Sequence, residues 1–479
     1  MARTAIRDVV VLLPGITGSV LRKDGRDLWA MSAGAFVNAL LSGGGSLDEL
    51  ALEENDWRVS DPGDGVVADR LMEKAHLIPG LWKIDGYSAV EEMLLQNFTL
   101  ERGKNYFPFP YDWRRDNRAT AAVLDRSAKV WLDDWRRESG REDAELILIG
   151  HSMGGLVARY FVEVLGGWQD TRAVITFGTP FYGSVKAIGS LLDGPRKLPG
   201  FARTRLRNLA RTFPSVHQLV PVYRCVLDTG DSPVKPNEAE LPGWRSSWND
   251  HAVDFFATME EAADKNRSAT AWGDGQVTYY PIVGMDQPTP QSVRVRDGST
   301  EYLWDLEGRG LAGDGTVPGI SAYLDGTQDA RVFTPQLHSR LQAEGAMLHH
   351  VRGLLGSLDQ PSPKDLRSAA PVWFSYRGED VYLTDDRVTV ELGAESHFSE
   401  SQLPVVEATV VLHNRSTGQT PVHRTVTVAR TPQTLDLGTL PAGTYELHVS
   451  GEERTVPLSD VLVVAEVPDE DEQEEEEEE

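Results

Sequence analysis

A mostly parallel β-sheet wrapped by helices, followed by a separate all-β domain, is the fold class the sequence predicts, and three observations predict it. Short aliphatic runs recur that each stop at a glycine or proline, as fully buried parallel strands ending in loops do. Stretches with helical apolar spacing lie between them, and strand followed by helix, repeated, builds a parallel sheet with helices on its faces. After Gln360-Pro361-Ser362-Pro363 the periodicity changes from helical to two-residue alternation.

In chain order, residues 9–13 form the first such run and stop at Pro14-Gly15. The runs 146–149, 173–177, ending at Gly178-Thr179-Pro180, and 277–283, ending at Gly284, are the next three. Residues 119–137 place Val123, Ala128, Val130, Leu132 and Trp135 at near-helical spacing, and 154–165 continue as a helix directly after the second strand. Such a sheet binds ligands at the carboxyl ends of its strands, where the four strand-end loops gather. Residues 184–277 break the rhythm, with a basic stretch at 203–211 and an aromatic-rich one at 244–256, and are read as a cap inserted over the sheet.

A first domain, built on the parallel sheet, is thereby assigned to 1–358 and a linker to 359–369. Runs at 388–392, 405–412, 425–429, 444–449 and 461–467 read as short strands, which predicts an immunoglobulin-like β-sandwich over 370–467. Residues 468–479 form an acidic tail whose composition predicts disorder.

The 479 residues are enough for two or three domains, and 40% hydrophobic with 25% charged residues is a globular composition. Ten of the 26 excess negative charges fall in 469–479, and the remaining body is still acidic. That balance repels phosphate backbones and anionic bilayers at long range, which argues against a nucleic-acid partner while leaving room for a local basic cap. Cys225 is the single cysteine, so no intrachain disulfide forms and a reducing compartment is expected. No apolar run approaches 18 residues and the N-terminus runs straight into the first strand, so a cytoplasmic location is the expectation. No His/Cys/Asp cluster has ligand spacing, and neither metal nor organic cofactor is expected.

Gly150-His151-Ser152-Met153-Gly154 is a G-x-S-x-G sequence, of which chance alone supplies on the order of 0.3 in a chain of this composition. Its context makes it specific: it follows the buried run 146–149 and opens a helix, the strand, sharp turn and helix of a nucleophile elbow. This predicts an α/β-hydrolase fold with Ser152 as nucleophile, and the side chains of His151 and Met153 as structural neighbours. A serine hydroxyl needs a base to take its proton and an acid to orient that base, and the fold sets the order serine, acid, histidine. Asp314, in Gly313-Asp314-Gly315-Thr316-Val317-Pro318, is the candidate acid; the alternative is a turn aspartate making an Asx hydrogen bond. His338 is the candidate base because it follows the strand-like 331–333 in a loop, whereas His349 and His350 lie inside the next helix. The backbone N–H of Met153 is one oxyanion donor, and that of Ile16 in the loop Pro14-Gly15-Ile16-Thr17-Gly18-Ser19 the other, with Thr17 in reserve.

Taken jointly, these motifs resemble the lecithin:cholesterol acyltransferase family, which includes phospholipid:diacylglycerol acyltransferases and lysosomal phospholipases. The resemblance spans 9–355 and adds Asp85-Gly86-Tyr87, Pro110-Tyr111-Asp112-Trp113-Arg114, Gly178-Thr179-Pro180-Phe181-Tyr182-Gly183-Ser184, Phe213-Pro214-Ser215 and Leu219-Val220-Pro221 to the elbow and the Asp314 loop. It implies a triad of Ser152, Asp314 and His338, oxyanion positions at Ile16 and Met153, a structural role for 111–114, and Trp113 and Tyr182 as candidate pocket residues. The sequence departs from the family in lacking the cysteine pair and signal segment of secreted members and in adding the C-terminal sandwich.

The expected function is hydrolysis or transfer of lipid acyl groups through an acyl-serine. The alternatives are an esterase for small soluble esters or thioesters, and a non-enzymatic scaffold. Expected partners are an acyl ester lipid, a transient membrane-surface contact through the cap, and a protein partner of unknown identity for the sandwich.

Overall fold

In the computed structural model the chain divides into two compact units, Met1–Asp359 and Gln360–Glu479. The structure describes residues 3–29, 45–53, 61, 63–73, 76–77, 83–84, 86–194, 200–227, 231–239, 241, 243–268, 277–296, 299–310, 312–358, 372–379, 381–395, 405–415, 417–429, 431–451 and 455–465.

The principal elements of the first unit are β1 (Val9–Leu13), α1 (Ser88–Asn97), β2 (Tyr106–Pro108), α2 (Asn117–Ser139), β3 (Leu146–His151), α3 (Met153–Glu163) and β4 (Thr171–Phe177). They continue through α4 (Val185–Leu192), α5 (Gly200–Ala210), α6 (Ser246–Arg267), β5 (Thr278–Gly284), β6 (Val332–Thr334) and α7 (Gly345–Leu358). The six strands form one sheet in the order β6-β5-β4-β3-β1-β2, and every pairing in it is parallel. Together with the nucleophile turn described below, this is an α/β-hydrolase sheet.

The aliphatic run of β1 is continuous because both faces are covered. Val9, Val11 and Leu13 enter one core with Leu124, Ala128 and Leu132 of α2, Leu156 of α3 and Phe255 and Met259 of α6. Val10 and Leu12 enter the other with Val90 and Leu94 of α1 and Val351 and Leu355 of α7. Local signals set the ends of α2: the Asp116 side chain accepts a hydrogen bond from Arg118 N as N-cap, and Gly140 closes the helix in the left-handed region at φ 70°.

The excursion read as a cap is corrected in its second half. Helix α6 lies in the helical layer on α3: the rings of Tyr160 and Phe255 stack at 5.6 Å, Arg159 pairs with Glu260 at 2.8 Å, and Asn266 Nδ2 donates to the Glu163 carboxylate at 3.0 Å. It is the crossover between β4 and β5, and its aromatic residues are there because they face the core. Leu341 closes the 3-10 turn His338–Arg340 and precedes α7. Three small sheets among the described residues went unread. One joins Arg26–Trp29, Ser19–Lys23 and Val66–Leu71, a second joins Pro233–Val234, Val226–Leu227, Ser292–Arg296 and Ser299–Leu303, and a third pairs His76–Leu77 with Lys83–Ile84. Strands of two to six residues are too short to register a period.

The second unit is two β-sheets around one apolar cluster that includes Val390, Leu392, Ala408, Val410, Leu447 and Leu462. One sheet orders Gln433–Gly438, Val388–Glu395, Val372–Arg377 and Thr455–Val456; the other orders Val381–Leu383, Leu458–Ala465, Gly443–Gly451, Val406–Asn414 and Val422–Val428. Four of these nine strands were not separated from their turns in the sequence. The linker at 359–369 and the tail at 468–479 lie outside the described residues.

Candidate active site

Strand β3 delivers Ser152 to the carboxyl edge of the sheet, and the chain turns into α3 at the next residue. Ser152 sits at φ 53°, ψ −124°, a conformation that costs a non-glycine residue about 1–3 kcal/mol and persists where surrounding structure imposes it. Gly154 is what lets strand and helix close up: a Cβ there would stand 2.4 Å from the Pro14 carbonyl oxygen. The elbow and the loop after β1 are therefore in backbone contact, which brings the Met153 N–H at the start of α3 and the loop carrying Ile16 to the same place.

His338 Nε2 lies 2.9 Å from Ser152 Oγ, and His338 Nδ1 lies 2.7 Å from Asp314 Oδ2. With the carboxylate opposite Nδ1, that nitrogen carries the proton and Nε2 is left as acceptor for the serine hydroxyl. All three residues are buried, and the His338 backbone N–H also donates to the Asp314 carbonyl at 2.8 Å. The other carboxylate oxygen, Asp314 Oδ1, accepts from Thr316 N at 2.9 Å and Val317 N at 2.7 Å. The two oxygens of Asp314 divide, Oδ1 closing an Asx turn that fixes the carboxylate whose Oδ2 meets the histidine. Glycines at two strand ends make room for this pair. A Cβ on Gly178 would lie 2.8 Å from Asp314 Oδ2, and one on Gly284 would lie 2.3 Å from Asp314 Cβ. His349 and His350 lie on α7, as the sequence placed them.

A second network, not read from the sequence, ties the loop after β1 to the elbow. Gly15 N donates to the Tyr87 hydroxyl at 2.7 Å, that hydroxyl lies 3.0 Å from His151 Nδ1, and His151 Nε2 lies 3.1 Å from the His338 carbonyl. One proton arrangement satisfies every member: the Tyr87 O–H donates to His151 Nδ1 and His151 Nε2–H donates to the carbonyl. Burial, reinforced by the His338 charge, pulls the His151 pKa down to about 3, so its ring stays neutral; burial also pushes the Tyr87 hydroxyl up, so it stays a donor. Tyr87→Phe is expected to strand Gly15 N–H and His151 Nδ1, costing about 1–3 kcal/mol in denaturant unfolding. It is also expected to lower kcat by up to about 10²-fold through a displaced loop. Unchanged unfolding and unchanged kcat together would show the network to be idle.

The 111–114 signature clamps the same loop. Tyr111 Oη donates to the Pro14 carbonyl at 2.7 Å, Tyr111 N to Ser19 Oγ at 3.0 Å, and Trp113 Nε1 to the Ser19 carbonyl at 3.2 Å. Arg114 is fully buried and pairs with Asp112 at 2.7 Å and Asp64 at 2.9 Å. Trp113 is corrected as a pocket wall: it is 2% exposed, with its ring edge-on to Trp29 and Phe213, and it acts as a packed clamp. Tyr182 lines a cavity that runs along α3 and α6 with Arg159, Glu163 and Glu260.

Lys186, on the first turn of α4, was also missed. Its Nζ lies 3.3 Å from Thr316 Oγ1; burial lowers its pKa and the Asp314 charge opposes that shift. No local motif marks it, because its place beside the acid's turn is made by the fold. Among the described residues no group of three His, Cys, Asp or Glu could hold a metal ion, and no helix is long and apolar enough to cross a membrane.

The family model described as lecithin:cholesterol acyltransferase matches residues 81–307, a span that contains Ser152 and stops short of Asp314 and His338. Lecithin-cholesterol acyltransferase-like 4 of Arabidopsis thaliana is 24% identical over 425 residues, covering 74% of this chain and 76% of that protein. Lysosomal phospholipase A and acyltransferase of Bos taurus is 28% identical over 204 residues, covering 41% of this chain and 48% of that protein, so the chain spans about half its length. Among solved structures, the mature form of Bacillus licheniformis lipase BlEst2 is 13% identical over 73% of this chain and 91% of that chain, with a TM-score of 0.31. Phospholipase PlaB from Legionella pneumophila is 11% identical over 97% of this chain and 93% of that chain, with a TM-score of 0.30. The family model over residues 81–307 and the two curated relatives make this α/β-hydrolase-fold chain similar to the lecithin:cholesterol acyltransferase family.

Proposed function

We propose that the chain hydrolyses or transfers the acyl groups of lipid esters through an acyl-serine at Ser152. The observation that carries this reading is the continuous hydrogen-bond chain from Ser152 Oγ through His338 to Asp314, at 2.9 Å and 2.7 Å, on a strained strand-to-helix turn. In the proposed reaction His338 Nε2 accepts the serine proton as Oγ attacks the ester carbonyl, Asp314 holds the ring and balances its positive charge, and His338 returns the proton to the leaving alcohol. The N–H groups of Met153 and Ile16 stabilise the oxyanion, each worth about 10² to 10³ in rate. Water or an acceptor alcohol then releases the acyl group. The relatives' printed activities, acyl transfer and phospholipase A, support a lipid ester as substrate. A cytoplasmic location, a membrane-surface contact and a protein partner for the sandwich belong to the same proposal.

Fatty-acid release from phospholipid micelles and from p-nitrophenyl esters of graded chain length tests it, with Ser152→Ala as the blank and an added alcohol separating transfer from hydrolysis. Turnover is expected to rise with chain length. Activity confined to the shortest esters would assign a soluble-ester esterase instead, and no serine-dependent activity would leave a scaffold.

A further inference from the structure

Within the first unit, a cavity of about 570 Å³ opens beside the start of α6, in the size range of small-molecule sites. Arg115, just ahead of α2, Arg211, just past α5, and Arg245, at the N-cap position of α6, all line it. The single carboxylate among the described lining residues is Glu53. In a chain carrying a net charge of −26, such a concentration of cations is against the composition.

An aromatic ring helps to assemble them. The Arg211 and Arg245 guanidiniums stand 5.1 Å and 5.9 Å from the ring centre of Trp248, which is 2% exposed. Cation–π attraction offsets part of the repulsion between the two cations. Arg211 Nε donates to the Leu191 carbonyl at 2.7 Å, and the Arg211 guanidinium has no ion pair among the described residues. Burial and the like charges of Arg207 and Arg245 lower its pKa, the mark of a cation whose surroundings would gain from an anion. The 22-residue helix α6 adds the positive end of its dipole, and among the described residues no side-chain cap bond closes it. His217, also in the wall, contributes no charge near neutrality: its Nε2–H donates to the Arg211 carbonyl at 3.0 Å, and burial beside His251 and Arg245 holds its pKa at about 3.

We propose that this cavity binds a phosphate group, free or carried on a phosphate ester. Guanidiniums grip tetrahedral oxyanions by paired N–H donors, and a helix N-terminus supplies the remaining field. The proposal stands apart from the hydrolase reading, because binding is measured without turnover.

Calorimetric titration of the full chain with inorganic phosphate and with glycerol 3-phosphate tests it. Saturable binding at one site per chain is expected. Arg211→Gln should weaken binding by about tenfold or more, with Arg211→Lys intermediate because it keeps the charge and loses the fork. Unfolding midpoints without ligand establish that each variant is folded, and phosphate should raise the midpoint of the wild type more than that of Arg211→Gln. A monomeric short-chain phosphatidic acid, compared with the diacylglycerol of the same chains and titrated into Ser152→Ala so that neither is turned over, distinguishes the source. Tenfold tighter binding than glycerol 3-phosphate assigns a lipid headgroup, and equal binding assigns a soluble phosphate. Absence of saturable binding to any of the phosphate probes, or equal affinity in wild type and folded Arg211→Gln, overturns the proposal.

Discussion

Ser152→Ala is expected to lower kcat/KM by about 10⁴- to 10⁶-fold for every ester the chain turns over, and His338→Ala by a comparable factor. The two residues act as a unit, since the hydroxyl is a nucleophile only while Nε2, 2.9 Å away, can take its proton. The double variant should accordingly be no slower than the worse single one. Additive losses would mean that serine and histidine serve separate steps, and full activity in Ser152→Ala would remove the acyl-serine from the mechanism. Ser152→Ala should fold, because the change removes one side-chain hydrogen bond and leaves every backbone contact of the elbow in place. A fluorophosphonate probe should label the wild type and not Ser152→Ala, which checks the nucleophile without any choice of substrate.

Asp314→Asn is expected to cut kcat by about 10⁴-fold while leaving the fold nearly intact. The split use of the carboxylate is the reason. The amide oxygen of asparagine can keep the Oδ1 position and accept from Thr316 N and Val317 N, so the turn survives. Its NH₂ then faces His338 Nδ1, where it can only donate, and the ring is held in the tautomer that presents an N–H to Ser152. Asp314→Ala loses turn and acid together and should also lower stability, by about 1–3 kcal/mol for the stranded N–H groups. Comparing kcat with the urea midpoint for the two variants separates the roles. If Asp314→Asn is as destabilised as Asp314→Ala, the carboxylate holds the turn through its charge; if it is as active as wild type, Asp314 is a turn residue alone.

The candidate site was legible where its signals are local or ordered along the chain. A buried strand, a glycine-flanked serine and a helix start are neighbours in sequence, so the elbow can be read there. Asp314 and His338 could be named from residue type and order, yet the hydrogen bond between Ser152 and His338 joins positions 186 apart, and no local pattern encodes that distance. The Tyr87 to His151 network was invisible for the same reason. Each member is an ordinary residue of its own segment, and its partners come from three others. The place of Trp113 was open because an aromatic residue near a motif reads alike whether it lines a pocket or clamps a loop. Only packing on Trp29 and Phe213 distinguishes the two for Trp113.

By itself, the sequence determined the parallel sheet, the nucleophile turn and the two-part division into helical and alternating periodicities. All of these follow from which residues must be buried within one element and from the backbone freedom of the residues that end it. Tertiary structure alone decided that α6 joins the layer on α3 and does not cover the site, that one oxygen of Asp314 builds a turn while the other meets His338, and that three arginines from distant segments line one cavity. Those outcomes depend on which faces meet across the chain, and an element's own periodicity tells which face is buried but not what buries it.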